Sequence, residues 1–272
     1  IERSGLDYFD IYLLHALGKD SYAKAKDFKA FEFAAQKKAE GKVKHVGFSF
    51  HDSAEVLDMI LTEHPEVEYV QLQINYLDWE DENVQSRKCY EVAVKHDKKV
   101  LVMEPVKGGS LVKLPDDAKK VLDGLNGGTP ASFAIRFAAG FEGIFMVLSG
   151  MSDMAQMNDN ISFMKDFEPL NEAEMSAIRK VCEIMNKQNL IPCTACRYCV
   201  DGCPKNIPIP EIFACMNDRK QFKDWNAKYY YEDVHIKGKG KASDCIECGL
   251  CEKACPQHLE IRKLLKDVAK EF

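Results

Sequence analysis

The chain has 272 residues, 46% hydrophobic and 29% charged, with 16 Gly and 10 Pro, a composition that can bury a real core and excludes a disordered or collagen-like chain. Lys and Arg number 37 against 43 Asp and Glu, and the pI lies near 5.7, so no broad basic footprint for nucleic acid exists. The longest apolar region, Ala131 to Met151, is interrupted by Arg136, Gly140, Glu142 and Gly143; it reads as a helix followed by a buried strand and not as a membrane span.

Taken in chain order, Phe9 to Leu14 is a buried strand. Lys26 to Glu40 has helical spacing, with Phe28, Phe31, Ala34 and Ala35 on one face, and Gly41 stops it. Val43 to Phe48 is a strand, Ser53 to Thr62 a helix with Ser53 as N-cap, and Tyr69 to Ile74 a strand again. A helix from Glu82 to His96 and a strand from Lys99 to Met103 follow. After a Gly-rich loop come a helix at Pro130 to Ala139, a strand at Ile144 to Leu148, and helices at Met154 to Lys165 and Asn171 to Lys187. Strands alternating with helices imply parallel β/α construction. Five such units fill about 190 residues, whereas a closed eight-unit barrel takes about 250. The count, and a chain that starts Ile1-Glu2-Arg3 without Met, predict that three units precede this sequence.

Beyond Leu190 the periodicity breaks. Eight of the 11 cysteines fall in two copies of one pattern, Cys193-x2-Cys196-x2-Cys199-x3-Cys203-Pro204 and Cys245-x2-Cys248-x2-Cys251-x3-Cys255-Pro256. No export-signal pattern is read at the front, so cysteines at metal-ligand spacing predict a reducing, cytoplasmic setting. The pattern is the ligand spacing of bacterial two-cluster ferredoxins, where three cysteines of a run hold one [4Fe-4S] cube and the fourth reaches the other. Carried over on that resemblance, Cys193, Cys196, Cys199 and Cys255 bind one cluster, and Cys245, Cys248, Cys251 and Cys203 the other. The alternative is zinc held by two C-x2-C pairs, which leaves the third and fourth cysteine of each run and both prolines unexplained. Residues 204–244 are longer than a minimal ferredoxin requires and contain a helical stretch at Pro210 to Arg219, as in helical ferredoxins. Cys89, Cys182 and Cys215 lie outside the pattern and read as buried thiols. The loop Lys237 to Lys241 reads as solvated.

Five segments, "DYFDIYLLH" (Asp7 to His15), "GKVKHVGFSFHD" (Gly41 to Asp52), "YVQLQINY" (Tyr69 to Tyr76), "VLVMEPVKGGSL" (Val100 to Leu111) and "VLSGMSDMAQMNDN" (Val147 to Asn160), resemble in order the strand-end segments of the aldo/keto reductases. With the cysteine tail, the chain resembles the ferredoxin-containing branch of that family. The resemblance implies an α/β fold: a (β/α)8 TIM barrel, here incomplete at about five β/α units, plus a small C-terminal helical ferredoxin-like domain, divided at 1–189 and 190–272. It further implies reduction of a small carbonyl substrate by NAD(H) or NADP(H), using an Asp, a Tyr, a Lys and a His at strand ends. His15 matches the active-site His; the Asp, Tyr and Lys would belong to the preceding units.

Ser49 and Gln71 match residues that hold the nicotinamide amide; Gln73 shares the face of Gln71. Lys107, Gly108 and Gly109, with Ser149 and Gly150, follow the last two strands, where barrels commonly form a phosphate site. Asn160 matches an adenine-binding position. Departures accompany these matches: Phe50 stands for the family Asn, Met103 for the aromatic that stacks on the nicotinamide, and Gly150 and Gln156 for two cations that hold the 2′-phosphate of NADP. A hydride carries two electrons and each cube takes one, so a flavin in the barrel is the alternative cofactor, and a one-electron redox protein is the expected partner. The clusters could otherwise be structural. Neither nucleic acid nor membrane is expected.

Overall fold

The computed structural model of the chain describes residues 2–82, 84–125, 127–222 and 226–272. Five strands, β1 (Phe9–Leu17), β2 (Val43–Phe50), β3 (Tyr69–Gln73), β4 (Lys99–Met103) and β5 (Ile144–Val147), form one parallel sheet in the order β1-β2-β3-β4-β5. Parallel neighbours need a crossover. The crossovers carry α1 (Lys19–Asp27) and α2 (Ala30–Ala39), then α3 (Ala54–Glu63), then α4 (Ser86–Lys95), then α5 (Asp116–Asp123) and α6 (Pro130–Ala139). α7 (Met154–Met164) follows β5. The expected helix from Glu82 begins at Ser86, and Asn83 lies outside the described residues.

Alternation along the strands separates two faces. Val46, Phe48, Val70, Leu72, Val100 and Val102 are buried on the face that meets the helices, where Phe31 of α2 sits edge-on to Phe48 with ring centroids 6.4 Å apart. Ser49, Gln71, Gln73 and Met103 lie on the other face, Ser49 in register with Gln71 and Gln73 with Met103. Gly47 is where the sheet needs a residue without a side chain: a Cβ there would lie 2.3 Å from the Tyr69 carbonyl oxygen and 2.7 Å from Leu13 Cδ2.

Two expectations are corrected. The single helix from Lys26 to Glu40 is broken, because Lys29 takes a left-handed backbone (φ 53) between α1 and α2. The turn brings Tyr22 and Phe31 together around His64, with Phe31 stacked on the imidazole at 3.6 Å, while Phe28 is 82% exposed and Ala35 is also outside the core. β5 is not a buried strand. Among the described residues it pairs with β4 alone, and it leaves Phe145 and Met146 close to half exposed.

Contacts within the chain define two compact units, Ile1–Pro105 with Ala131–Leu170, and Val106–Pro130 with Asn171–Phe272. The second unit contains α5, α8 (Glu172–Lys187), α9 (Tyr198–Asp201), α10 (Ile209–Phe222), α11 (Asn226–Tyr229), α12 (Leu250–Lys253) and α13 (Ile261–Glu271). α8 starts in a reciprocal cap: Asn171 Oδ1 accepts from the Glu174 N–H and Glu174 Oε2 from the Asn171 N–H. α13 presents Ile261, Leu265 and Val268 at helical spacing to a core with Ile212 and Phe213 of α10. Among the described residues no helix is long and apolar enough to cross a membrane.

Candidate functional site

The two cysteine runs share one backbone design. Left-handed residues occur at matching places in each copy: Ala195 and Glu247, Arg197 and Gly249, Asn206 and His258. Each pair of left-handed positions curls the loop and is followed by a one-turn helix, α9 in the first copy and α12 in the second, that carries the third cysteine inward. Cys199 and Cys251, the equivalent residues, are the two buried members of the set.

The curled loops surround two cavities. Cys193, Cys196, Cys199 and Cys255 line the first; Cys203, Cys245, Cys248 and Cys251 line the second. Their volumes, counting the parts open to solvent, are about 310 and 320 Å³. Each cavity thus takes three thiols from one run and the fourth from the other. The remaining walls are largely apolar, with Phe213, Leu259 and Ile261 at the first and Ile207, Ile209 and Leu265 at the second.

Burial dominates the acid–base character of the inner thiols. It pushes Cys193 up to about 11, Cys199 to about 12 and Cys251 to about 11, and raises Cys255 as well. Neighbouring sulfurs add to the effect within each set: Cys196, Cys193 and Cys255 act on Cys199, and Cys245 and Cys248 on Cys251. A metal group entering either cavity must therefore displace protons and supply the positive charge that holds thiolates together.

The donor chemistry suits an iron–sulfur cube. Four thiols ring a space, while among the described residues no three His, Cys, Asp or Glu side chains are disposed around a single metal ion, as a zinc site with sulfurs at about 2.3 Å would need. Thr194 adds a polar group to the first cavity, its Oγ1 buried and without a hydrogen-bond partner. A cluster sulfur would accept a hydrogen bond from that hydroxyl. Behind this cavity Glu211 pairs with Arg197; burial would raise the carboxyl, but the guanidinium outweighs it and keeps Glu211 below the usual carboxylate range.

On the sheet, the candidate polar residues are engaged with one another. β1 slips register between Leu14 and Leu17, which places His15 and Ala16 in a bulge; His15 is exposed and Ala16 has φ 52. Bulges re-aim side chains near sites. Ser49 Oγ, buried, accepts from the Ala16 N–H at 2.7 Å and ties the bulge to β2. Gln71 Nε2 donates to Met103 Sδ at 3.3 Å. Gln73 is buried and donates to Asp78 Oδ2 at 2.7 Å, as does Asn75, so the second strand glutamine belongs to a structural network. Beyond β5, Asn160 Nδ2 donates to Ser149 Oγ at 3.0 Å, and Gln156 Oε1 accepts from the Ser152 N–H at 2.8 Å. Gly150 is exposed, with no neighbouring atom near a Cβ position. The N-terminus of α7 is capped by the Asp153 carboxylate, which accepts from the Gln156 N–H.

Residues 1–183 match the model of the aldo/keto reductase family. The chain belongs to the aldo/keto reductase family. Residues 192–260 match a 4Fe-4S dicluster domain. Solved structures similar in fold include an aldo-keto reductase from Bacillus halodurans in its holo form (22% identity, TM-score 0.52, 66% of this chain and 61% of that one). An aldo/keto reductase from Brucella melitensis (23%, 0.51, 66% and 63%) and one from Klebsiella pneumoniae in complex with NADP and acetate (16%, 0.51, 66% and 61%) are alike in the same way. The chain spans less than two thirds of the length of these structures. No curated protein matches it.

His15, Ser49, Gln71 and Met103 stand on the successive strands β1 to β4, with Gln71 touching Met103, while Asn160 of α7 reaches back to Ser149 and Gln156 to Ser152. Lys107, expected at a phosphate, is buried with its Nζ donating to Gln257 Oε1 at 3.4 Å, and Gly108 presses on the Thr194 backbone. Sequence reasoning missed Thr194, Arg197, Glu211 and Gln257. Thr194, Arg197 and Gln257 adjoin or closely follow cysteines that line the cavities, which was the available signal. Of the other thiols, Cys89 and Cys215 are buried and raised by burial to about 12 and about 11, and Cys182 is half-buried.

Proposed function

We propose that the chain is an oxidoreductase in which NAD(P)H-linked carbonyl or alcohol chemistry of the aldo/keto reductase type is coupled to one-electron transfer through two [4Fe-4S] clusters. The observation that carries this reading is the pair of thiol cavities, each completed by a cysteine of the opposite run. Bound there, the clusters would supply single-electron steps. Four thiolates would hold each, the apolar walls would exclude water, and the Thr194 hydroxyl would donate a hydrogen bond at one of them.

In the barrel portion, His15 on the β1 bulge would orient the substrate carbonyl, and Ser49 and Gln71 would exchange their present partners for a nicotinamide amide. Between Ser149 and Asn160 there is no Lys or Arg, and Asp153 already places an anion on the α7 N-terminus. Both features disfavour a 2′-phosphate and support NAD(H) over NADP(H). The same two features, with the engagement of Ser49, Gln71 and Asn160 inside the chain, favour a second reading: an electron carrier whose barrel binds a flavin, which can divide an electron pair between one-electron centres. A small carbonyl compound and a one-electron redox protein are the partners of the first reading. The second needs only the protein.

The two separate in an anaerobic cuvette. Added to cluster-loaded protein, NADH is expected to bleach the broad iron–sulfur absorption, and to do so better than NADPH. If neither nucleotide bleaches clusters that dithionite reduces, nicotinamide coupling is wrong; added flavin bands would then support the carrier.

A further inference from the structure

We infer that the mouth of the cavity ringed by Cys203, Cys245, Cys248 and Cys251 is a docking surface for an acidic one-electron carrier protein, which exchanges electrons there and not at the mouth of the other cavity. The inference deepens the first reading above and rests on its two clusters.

The repeated cysteine pattern makes the two mouths comparable position by position. Some exposure is common to both: Cys196 and Tyr198 are at the surface in one copy, Cys248 and Leu250 in the other. Each cavity also has a guanidinium held by a carboxylate, Arg197 by Glu211 and Arg262 by Glu252. Two positions differ. The residue after the first cysteine is Thr194 at the first cavity, 7% exposed, and Ile246 at the second, 57% exposed. The residue after the proline is Gln257 at the first, 5% exposed, and Lys205 at the second, which faces solvent. The turn at Gly108 lies against Thr194, whose carbonyl oxygen would be 2.6 Å from a Cβ there. One mouth is thus partly roofed by the chain itself, and the other presents Ile246 and Leu250 to solvent.

Charge indicates what covers it. The chain is net −6, yet Lys205, Lys237 and Lys241 are exposed and, among the described residues, have no ion-pair partner. The Lys237 to Lys241 loop is fixed beside the mouth: the Gly240 N–H donates to the Asn206 carbonyl oxygen at 3.2 Å, and a Cβ on Gly240 would collide with the Lys205 carbonyl oxygen. Lys239 is answered at range by Glu211. The carboxylates nearby are engaged, Glu247 by Lys266 at 2.8 Å, Glu252 by Arg262 at 2.7 Å, and Asp244 by the Lys241 N–H at 3.0 Å. An apolar centre with a cationic rim has the anatomy of a protein interface, and the rim favours an acidic partner and speeds its approach. The step moves one electron between carrier and cube; it breaks no bond and needs no proton.

The test uses the full chain, loaded anaerobically, with an acidic bacterial ferredoxin as probe. Stopped-flow mixing with the reduced ferredoxin gives the transfer rate, and calorimetry with the oxidised one gives the affinity. The wild-type rate should fall steeply as salt is added. K237E/K241E should lower the low-salt rate about tenfold or more and flatten its salt dependence, with iron content and both midpoint potentials unchanged. L250S should weaken binding at every salt concentration, whereas Y198S, the equivalent change at the first mouth, should leave rate and affinity as they are. Wild-type transfer that ignores salt, an unmoved rate in K237E/K241E, a shifted potential that accounts for a lost rate, or a loss in Y198S equal to that in L250S overturns the inference. So does single-stranded DNA binding as tightly as the ferredoxin, since the surface would then attract any polyanion. A wild-type chain that holds fewer than two clusters overturns the reading beneath, and the inference with it.

Discussion

Cys203 is where the ligand scheme is most exposed to test. It belongs in sequence to the run that begins at Cys193, yet it lines the cavity of Cys245, Cys248 and Cys251. C203S and C251S should therefore abolish the same magnetic signal, and C199S the other one; C203S grouping with C199S would contradict the crossed geometry. The inner thiols predict a pH effect. In the metal-free fold, Cys193, Cys199 and Cys251 are raised by burial to about 11, 12 and 11 from an ordinary 9.0. The folded state thus holds protons longer than the unfolded chain, so stability is fully present below about pH 9 and is lost as pH rises toward about 12. Denaturant midpoints of chelator-stripped protein should fall across that window, while loaded protein, whose sulfurs are already deprotonated, should show no such loss. Equal pH dependence in both forms would refute it. At Gly47, where an added Cβ meets backbone, G47A should cost about 1–3 kcal/mol by urea unfolding. An unchanged midpoint would mean that the strands separate more easily than their packing implies.

Elements with a strong period are legible in the sequence. β4 and α6 have the ends expected from sequence, and α3, α7 and α8 begin within a residue of them. Asn171 with Glu174 is a capping signature that sequence spacing already carries, and N171A should lower stability by about 1 kcal/mol, measured by thermal or urea unfolding; no change would show that α8 is held by packing alone. What sequence concealed has physical causes. The α1–α2 break depends on Tyr22 and Phe31 meeting around His64, a tertiary requirement that helical spacing does not contain. α5 lies within a stretch flanked by glycines and a proline, and its apolar face, with Ala118 and Leu122 buried, packs near α8. The short helices α9 and α12 sit inside the cysteine runs, where residue spacing announces ligands and says little about backbone. The grouping of the cysteines around two cavities was readable because the two runs repeat one rigid spacing. The Lys107–Gln257 contact was not, since its members are 150 residues apart and neither belongs to a periodic pattern.

At the scale of the whole molecule, one chain carries an aldo/keto reductase family portion and a dicluster domain, which in the proposed reading handle electrons in different numbers. The catalytic proposal for the first depends on the second being loaded. The direct measurement is iron, acid-labile sulfide and zinc per chain in protein prepared without oxygen. The account predicts about eight irons and eight sulfides, from two four-iron cubes. Four or fewer irons with a stoichiometric zinc, or iron without sulfide, would contradict it.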